Sequence, residues 1–301
     1  MKKLNSRKIA KIFTLGLISV SFGFSKNEDT APKTPASEVM YAEITNARIA
    51  YKTYGEGEPL IMCIGYASNM DLWSTKAIEI LQQKFKVIVF DYRGMGYSTN
   101  TNSEISINSM AEDVNELLIA LNINKAHVLG WSMGGFVAQI FALHHSEKVD
   151  KLVLYATNCG DTIAKDPSQE IIDILSNPSS TPLELIGCLF PDEWMASHPE
   201  PWKSLPNAKE PHNSSTIGLQ YAAVQKWLLP GGGSAGLLNQ LKMPVLLICG
   251  DKDKVAPCEN STILSNLISS ATFIKVNNSG HGLMYQLPET FSNYVLTFLT
   301  E

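Results

Sequence analysis

The chain of 301 residues is 45% hydrophobic and 18% charged, with a formal net charge of −5. That apolar share can bury a sizeable core, which excludes disorder for the bulk of the chain. No run of Lys or Arg appears beyond the first eleven residues, which speaks against a nucleic-acid partner and leaves a small molecule as the expected one.

The N-terminus reads separately from the rest. Lys2, Lys3, Arg7, Lys8 and Lys11 precede an uncharged apolar stretch from Ile12 to Phe24. A basic start and an apolar stretch too short to span a bilayer comfortably read as a secretory signal over residues 1–25. Ser21, Gly23 and Ser25 offer small residues for cleavage, although none completes an Ala-x-Ala pattern. An uncleaved membrane anchor is the competing reading. The export reading predicts a secreted or periplasmic protein with no membrane span in the mature chain. Residues 26–38 (KNEDTAPKTPASE) are polar with two prolines and read as a linker.

Apolar runs follow in chain order. VMYAEI and ARIAYKTYG read as the strands of a hairpin, and PLIMCIG, FKVIVFD, AHVLGWS, KLVLYAT, PVLLICG and ATFIKVN as six more. Most are near-continuous rather than alternating, the pattern of strands covered on both faces. Between them, Ile107, Met110, Val114, Leu117, Leu118 and Leu121 recur at helical spacing. Phe136 with Ile140 and Val137 with Phe141 do the same, and PETFSNYVLTFLT closes the chain with Pro at a helix start. Strands alternating with helices predict an α/β fold with parallel pairing. From Asp161 to about Leu241 no strand-like run occurs, but QEIIDIL and LQYAAVQKWLL have helical patterns. Residues 161–241 are therefore expected to form a helical cap, inserted into a core of residues 39–160 and 242–301.

There are five cysteines. Cys63 and Cys249 lie inside strand-like runs and are expected as core residues rather than bridge partners. Cys188 with Cys258 or Cys159 with Cys188 stay open as disulfides. No Cys/His spacing resembles a metal site. The sequence carries no signal of oligomeric state.

The chemistry centres on LGWSMGGF, residues 129–136. A strand precedes Ser132 and a helix follows it, so the serine falls on a strand-to-helix turn, with Gly130 and Gly134 removing side chains that would clash there. A serine needs a base and an acid that orients the base. Of six histidines, His144 and His145 end the helix after Ser132, His127 lies on the strand before it, and His198 and His212 lie in the cap. His281, in NNSGHGL just past the last strand, is the expected base. CGDKDKVAP offers Asp251 and Asp253, of which Asp253 is the expected acid by reach, with Asp161 as the alternative. Trp131 and Met133 either line the pocket or pack behind the serine. Trp194, Trp202, Tyr221 and Trp227 either line an apolar pocket or form plain core. Asp91 and Arg93 are expected as a structural pair.

Four motifs in this order resemble the α/β-hydrolase superfamily, specifically its capped esterase, lactonase and cofactor-free perhydrolase group. They are GWSMGG, DYRGMGYS at 91–98, GDKDKVAP and SGHG, and the likeness covers about residues 40–300. The resemblance implies a mostly parallel eight-stranded sheet flanked by helices, with a helical cap inserted after strand 6. It implies Ser132 as nucleophile, His281 as base and Asp253 as acid, with no cofactor and no metal. The oxyanion donors it implies are the backbone N–H groups of Met133 and Tyr66. Where the group has His-Gly in the latter loop, this chain has Ile64-Gly65. The expected reaction is hydrolysis of a carboxylic ester or lactone. Carbon–carbon bond hydrolysis, aminopeptidase or perhydrolase activity on the same triad, or a non-catalytic ligand sensor, are the alternatives.

Overall fold

In the computed structural model, which describes residues 38–100, 104–177, 179–210 and 213–301, eight strands form one sheet in the order β1-β2-β4-β3-β5-β6-β7-β8. The expected export signal, residues 26–37 of the expected linker, and His212 lie outside the described residues. The hairpin β1 (Met40–Ile44) and β2 (Ala47–Tyr54) turns at Asn46, whose φ of 61° is left-handed. This hairpin supplies the two antiparallel pairings, β1 with β2 and β2 with β4 (Phe85–Phe90).

The remaining neighbours pair in parallel: β3 (Glu58–Cys63), β4, β5 (Ala126–Trp131), β6 (Val149–Tyr155), β7 (Val245–Gly250) and β8 (Ala271–Val276). Every residue of β5 and β7 is buried, which is why these segments are continuous apolar runs.

The helices are α1 (Thr75–Leu81), α2 (Ile107–Ala120), α3 (Met133–His144), α4 (Gln169–Ser176), α5 (Pro182–Leu189), α6 (Asp192–Ser197), α7 (Ser214–Leu228), α8 (Glu259–Leu267), α9 (Leu283–Gln286) and α10 (Pro288–Thr300). Ser106 starts α2 through a reciprocal capping box with Ser109, and the stripe of Met110, Val114, Leu117 and Leu118 is buried beneath it.

Helices α4 to α7 lie between β6 and β7. They carry small apolar clusters of their own, one around Ile171, Leu175 and Leu185 and one around Ile186, Leu189 and Phe190. Helix α7 instead joins the main core through Trp227, which stacks on Phe136 with ring centroids 4.7 Å apart. The two ends of the insertion are stitched together at its neck. Asp161 N–H donates to the Trp227 C=O at 3.1 Å, and Ser234 N–H to the Cys159 C=O at 2.8 Å.

The cysteines correct one expectation. Cys249, at the end of β7, is both buried and bridged to Cys258, because the turn after β7 doubles back and brings the two Cα atoms to 5.4 Å. Cys159 and Cys188 are buried and free, so neither of the two bridges left open by the sequence forms, while Cys63 is a core residue. Among the described residues, no helix is long and apolar enough to cross a membrane.

Candidate active site

Ser132 sits between β5 and α3 with φ 55° and ψ −122°, a conformation that surrounding bonds must impose on a residue other than glycine. Its N–H donates to the Tyr155 C=O at 3.0 Å, and its C=O accepts from Thr157 Oγ1 at 2.7 Å and Gly135 N–H at 2.9 Å. The hydroxyl makes no capping bond to α3 and lines a cavity of about 460 Å³. Gly134 explains part of the motif: a Cβ there would run into the Cys63 C=O of β3.

His281 follows β8 and reaches the same cavity, almost fully buried. Its Nδ1 donates to Asp253 Oδ2 at 2.9 Å. The other carboxylate oxygen of Asp253 accepts the N–H groups of Val255 and Ala256, both at 2.8 Å, so the acid is held on both sides. The loop around His281 is anchored at its C=O, which accepts from Tyr155 Oη at 2.5 Å and from Trp131 Nε1 at 3.3 Å. Among the described residues, no hydrogen bond joins Ser132 Oγ to His281, a contact that commonly tightens only with substrate bound.

The competing acids have other work. Asp251 Oδ1 accepts Ser279 N–H at 3.4 Å, ahead of His281, and Asp161 accepts Thr162 N–H at the neck of the insertion. His144 and His145 face Glu112 across the end of α3, and His127 stands near Glu58 and Asp150. His198 stacks on Trp194 at 3.9 Å.

Met133 and Tyr66 line the cavity with Ser132. As the first residue of α3, Met133 has a backbone N–H without an intrahelical partner. Gly65 presses the Tyr66 loop against the elbow: a Cβ on it would lie 3.4 Å from Ser132 Cβ. Ile64 is fully buried in the core, and its C=O accepts from Tyr92 Oη at 3.2 Å.

Asp91 and Arg93 do not pair. Arg93 forks onto Asp113 of α2, with Nε to Oδ2 at 2.7 Å, because the turn after β4 points it toward that helix. Asp91 accepts two backbone donors instead, Met70 N–H at 2.6 Å and Tyr97 N–H at 2.8 Å. Burial is the largest influence on Asp91 and pushes its carboxyl up to about 7.

Of the aromatic residues of the insertion, Trp202 and Tyr221 line the cavity; Trp227 backs Phe136, and Trp194 packs on Phe190. Trp131 and Met133 are lining residues as well. Two functional neighbours carried no sequence signal: Tyr155, read only as a strand residue, and Tyr285, whose hydroxyl donates to the Leu72 C=O at 2.6 Å at the cavity wall. Among the described residues, no cluster of three or more His, Cys, Asp or Glu side chains is arranged to hold a metal ion.

Comparison with known proteins agrees with this architecture. Residues 58–182 match the family model described as the alpha/beta hydrolase fold. The chain is 26% identical over 255 residues to the AB hydrolase superfamily protein YisY of Bacillus subtilis, covering 81% of this chain and 92% of the relative. A hydrolase from Pseudomonas aeruginosa superposes with a TM-score of 0.73 at 25% identity, covering 88% of this chain and 100% of that one. A thermophilic esterase from Thermogutta terrifontis superposes with a TM-score of 0.72 at 22% identity, covering 88% of this chain and 98% of that one. With this sheet order, this elbow and these relatives, the chain has the α/β-hydrolase fold and is a hydrolase.

Proposed function

We propose that the enzyme cleaves a carboxylic ester or lactone of a small molecule through an acyl-enzyme on Ser132. His281 Nε2 takes the Ser132 proton as Oγ bonds to the substrate carbonyl carbon. Asp253, bonded to Nδ1, keeps the imidazole in the tautomer that leaves Nε2 free and steadies the imidazolium that forms. The N–H groups of Tyr66 and Met133 receive the developing oxyanion. The carbon–oxygen bond to the leaving alcohol then breaks as the imidazolium protonates it. Water, deprotonated by the same imidazole, attacks the acyl carbon and releases the acid and the serine.

The observation that carries this reading is the buried Asp253–His281 bond in the wall of the cavity onto which Ser132 opens. The preference for esters draws support from the mainly apolar lining, including Leu72, Phe136, Ile186, Leu189, Val224 and Leu228, and from the esterase among the structural neighbours. In this reading residues 161–241 act as a cap over the site, and the chain is exported, for which the Cys249–Cys258 bridge is a second support because such bonds persist in oxidising compartments.

The test is labelling with a fluorophosphonate. Wild type is expected to label on Ser132, and Ser132→Ala and His281→Ala to abolish labelling together with turnover of p-nitrophenyl esters. A folded wild type that neither labels nor turns over esters, lactones or amino-acid arylamides would refute the proposal.

A further inference from the structure

The turn after β3 holds Ala67 at φ 52°, a left-handed backbone that alanine adopts only when its surroundings impose it. Much of that constraint comes from the insertion. Ala67 N–H donates at 3.1 Å to Oε1 of Gln220, a fully buried residue of α7. At the other end of the same peptide unit, the Tyr66 C=O accepts from Ser68 Oγ at 3.1 Å. Two more bonds tie the turn to the segment ahead of α7: Asn69 Nδ2 to the Glu210 C=O at 3.4 Å, and Lys209 N–H to Asp71 Oδ2 at 3.1 Å. Ile64, at the start of the turn, is an apolar core residue and has no side-chain hydrogen bond to offer.

We infer that Gln220 is a positioning residue for the oxyanion hole: by holding the Tyr66–Ala67 peptide it aims the neighbouring Tyr66 N–H, so the hole is complete only while α7 is seated. The inference rests on Tyr66 serving as an oxyanion donor. The other half of the Gln220 amide separates this role from mere packing. The Ala67 donor requires the amide oxygen to face it, and this leaves Gln220 Nε2 buried without a partner among the described residues. A buried unpaired donor works against stability. Gln220 thus satisfies one buried donor while leaving its own unpaired, so it adds little net stability to the fold.

The test uses Gln220→Met, close in shape but without the acceptor, and Gln220→Ala, which favours the helix. Both are assayed for ester turnover, for the rate and completeness of fluorophosphonate labelling, and for melting temperature. The expected result for Gln220→Met is kcat and labelling rate lowered by about tenfold or more, with KM within about twofold of wild type. Labelling is expected to run to completion, with a melting temperature close to that of wild type, because the variant removes one unpaired buried donor, Gln220 Nε2, and leaves another, the Ala67 N–H. Gln220→Ala is expected to show the same kinetic losses with complete labelling. Variants that label and turn over as fast as wild type overturn the inference and leave the triad reading intact. Losses that appear only with a lower melting temperature and incomplete labelling mark a structural role and also overturn it. A wild type whose Ser132 never labels overturns both readings together.

Discussion

Asp253 divides its carboxylate between two tasks, one oxygen on the backbone of its own loop and one on His281. An amide has one acceptor and one donor end, so Asp253→Asn cannot serve both and turns a donor toward either the imidazole or the loop. We expect kcat to fall by about 10³- to 10⁴-fold with the melting temperature little changed, as read by p-nitrophenyl ester turnover and thermal unfolding. Asp91 gives a second check. With its carboxyl at about 7, the folded protein holds a proton that the unfolded chain releases near pH ~3.9. The stabilisation from this group is therefore complete below that lower value and is lost as pH rises through 7. The carboxyl carbon resonance of Asp91 should titrate with a midpoint near 7; a midpoint near the ordinary aspartate value would show that the two backbone donors outweigh burial. The placement of residues was legible where a motif fixes a turn, as at Ser132 and His281, which line one cavity, and at Asp253, which bonds His281. Gln220 was not legible, because a glutamine in an amphipathic helix has no pattern that points its oxygen at a turn 153 positions away.

At the scale of elements, the central strands stood out because both faces of the sheet are covered there and the runs are almost purely apolar, while β1, β2 and β8 are partly exposed and mix in polar residues. The helices of the insertion were legible in part. Helix α4 showed its stripe, while α5 (PLELIGCL) is too uniformly apolar for one face to stand out and α6 runs for only 6 residues. Pairings between elements were misread for a physical reason: sequence proximity does not say which way a side chain leaves its turn. Arg93 passes over Asp91 to Asp113, burying an ion pair between the loop and α2. Asp113→Ala would remove the buried carboxylate onto which Arg93 forks and should lower stability by about 3–5 kcal/mol in urea unfolding. Cys249 was hidden by the apolar run around it. Thiol titration of the denatured, unreduced protein should find Cys63, Cys159 and Cys188 reactive, and Cys249 and Cys258 only after reduction; reaction at either of the last two before reduction would contradict the bridge.

For the whole molecule, the cavity is where sheet and insertion meet, with Ser132 and His281 from the sheet side and Trp202, Leu205, Tyr221 and Val224 from the other. Lys165, Asp166, Lys209 and Glu210 also contribute to the lining and bring both signs of charge. At about 460 Å³ the space suits a drug-sized molecule, so turnover of p-nitrophenyl esters should peak at short to medium acyl chains and collapse for palmitate. Equal rates on palmitate would mean that the insertion opens far more widely than its bonds to residues 67–71 suggest.

The stitched neck at Cys159–Asp161 and Trp227–Ser234 has an evolutionary corollary. Because the excursion departs and returns through one narrow gate, it behaves as an exchangeable cassette. A different excursion could be grafted at the same gate without rethreading a strand, but any successor to α7 would have to bring its own acceptor for the Ala67 N–H that Gln220 now holds.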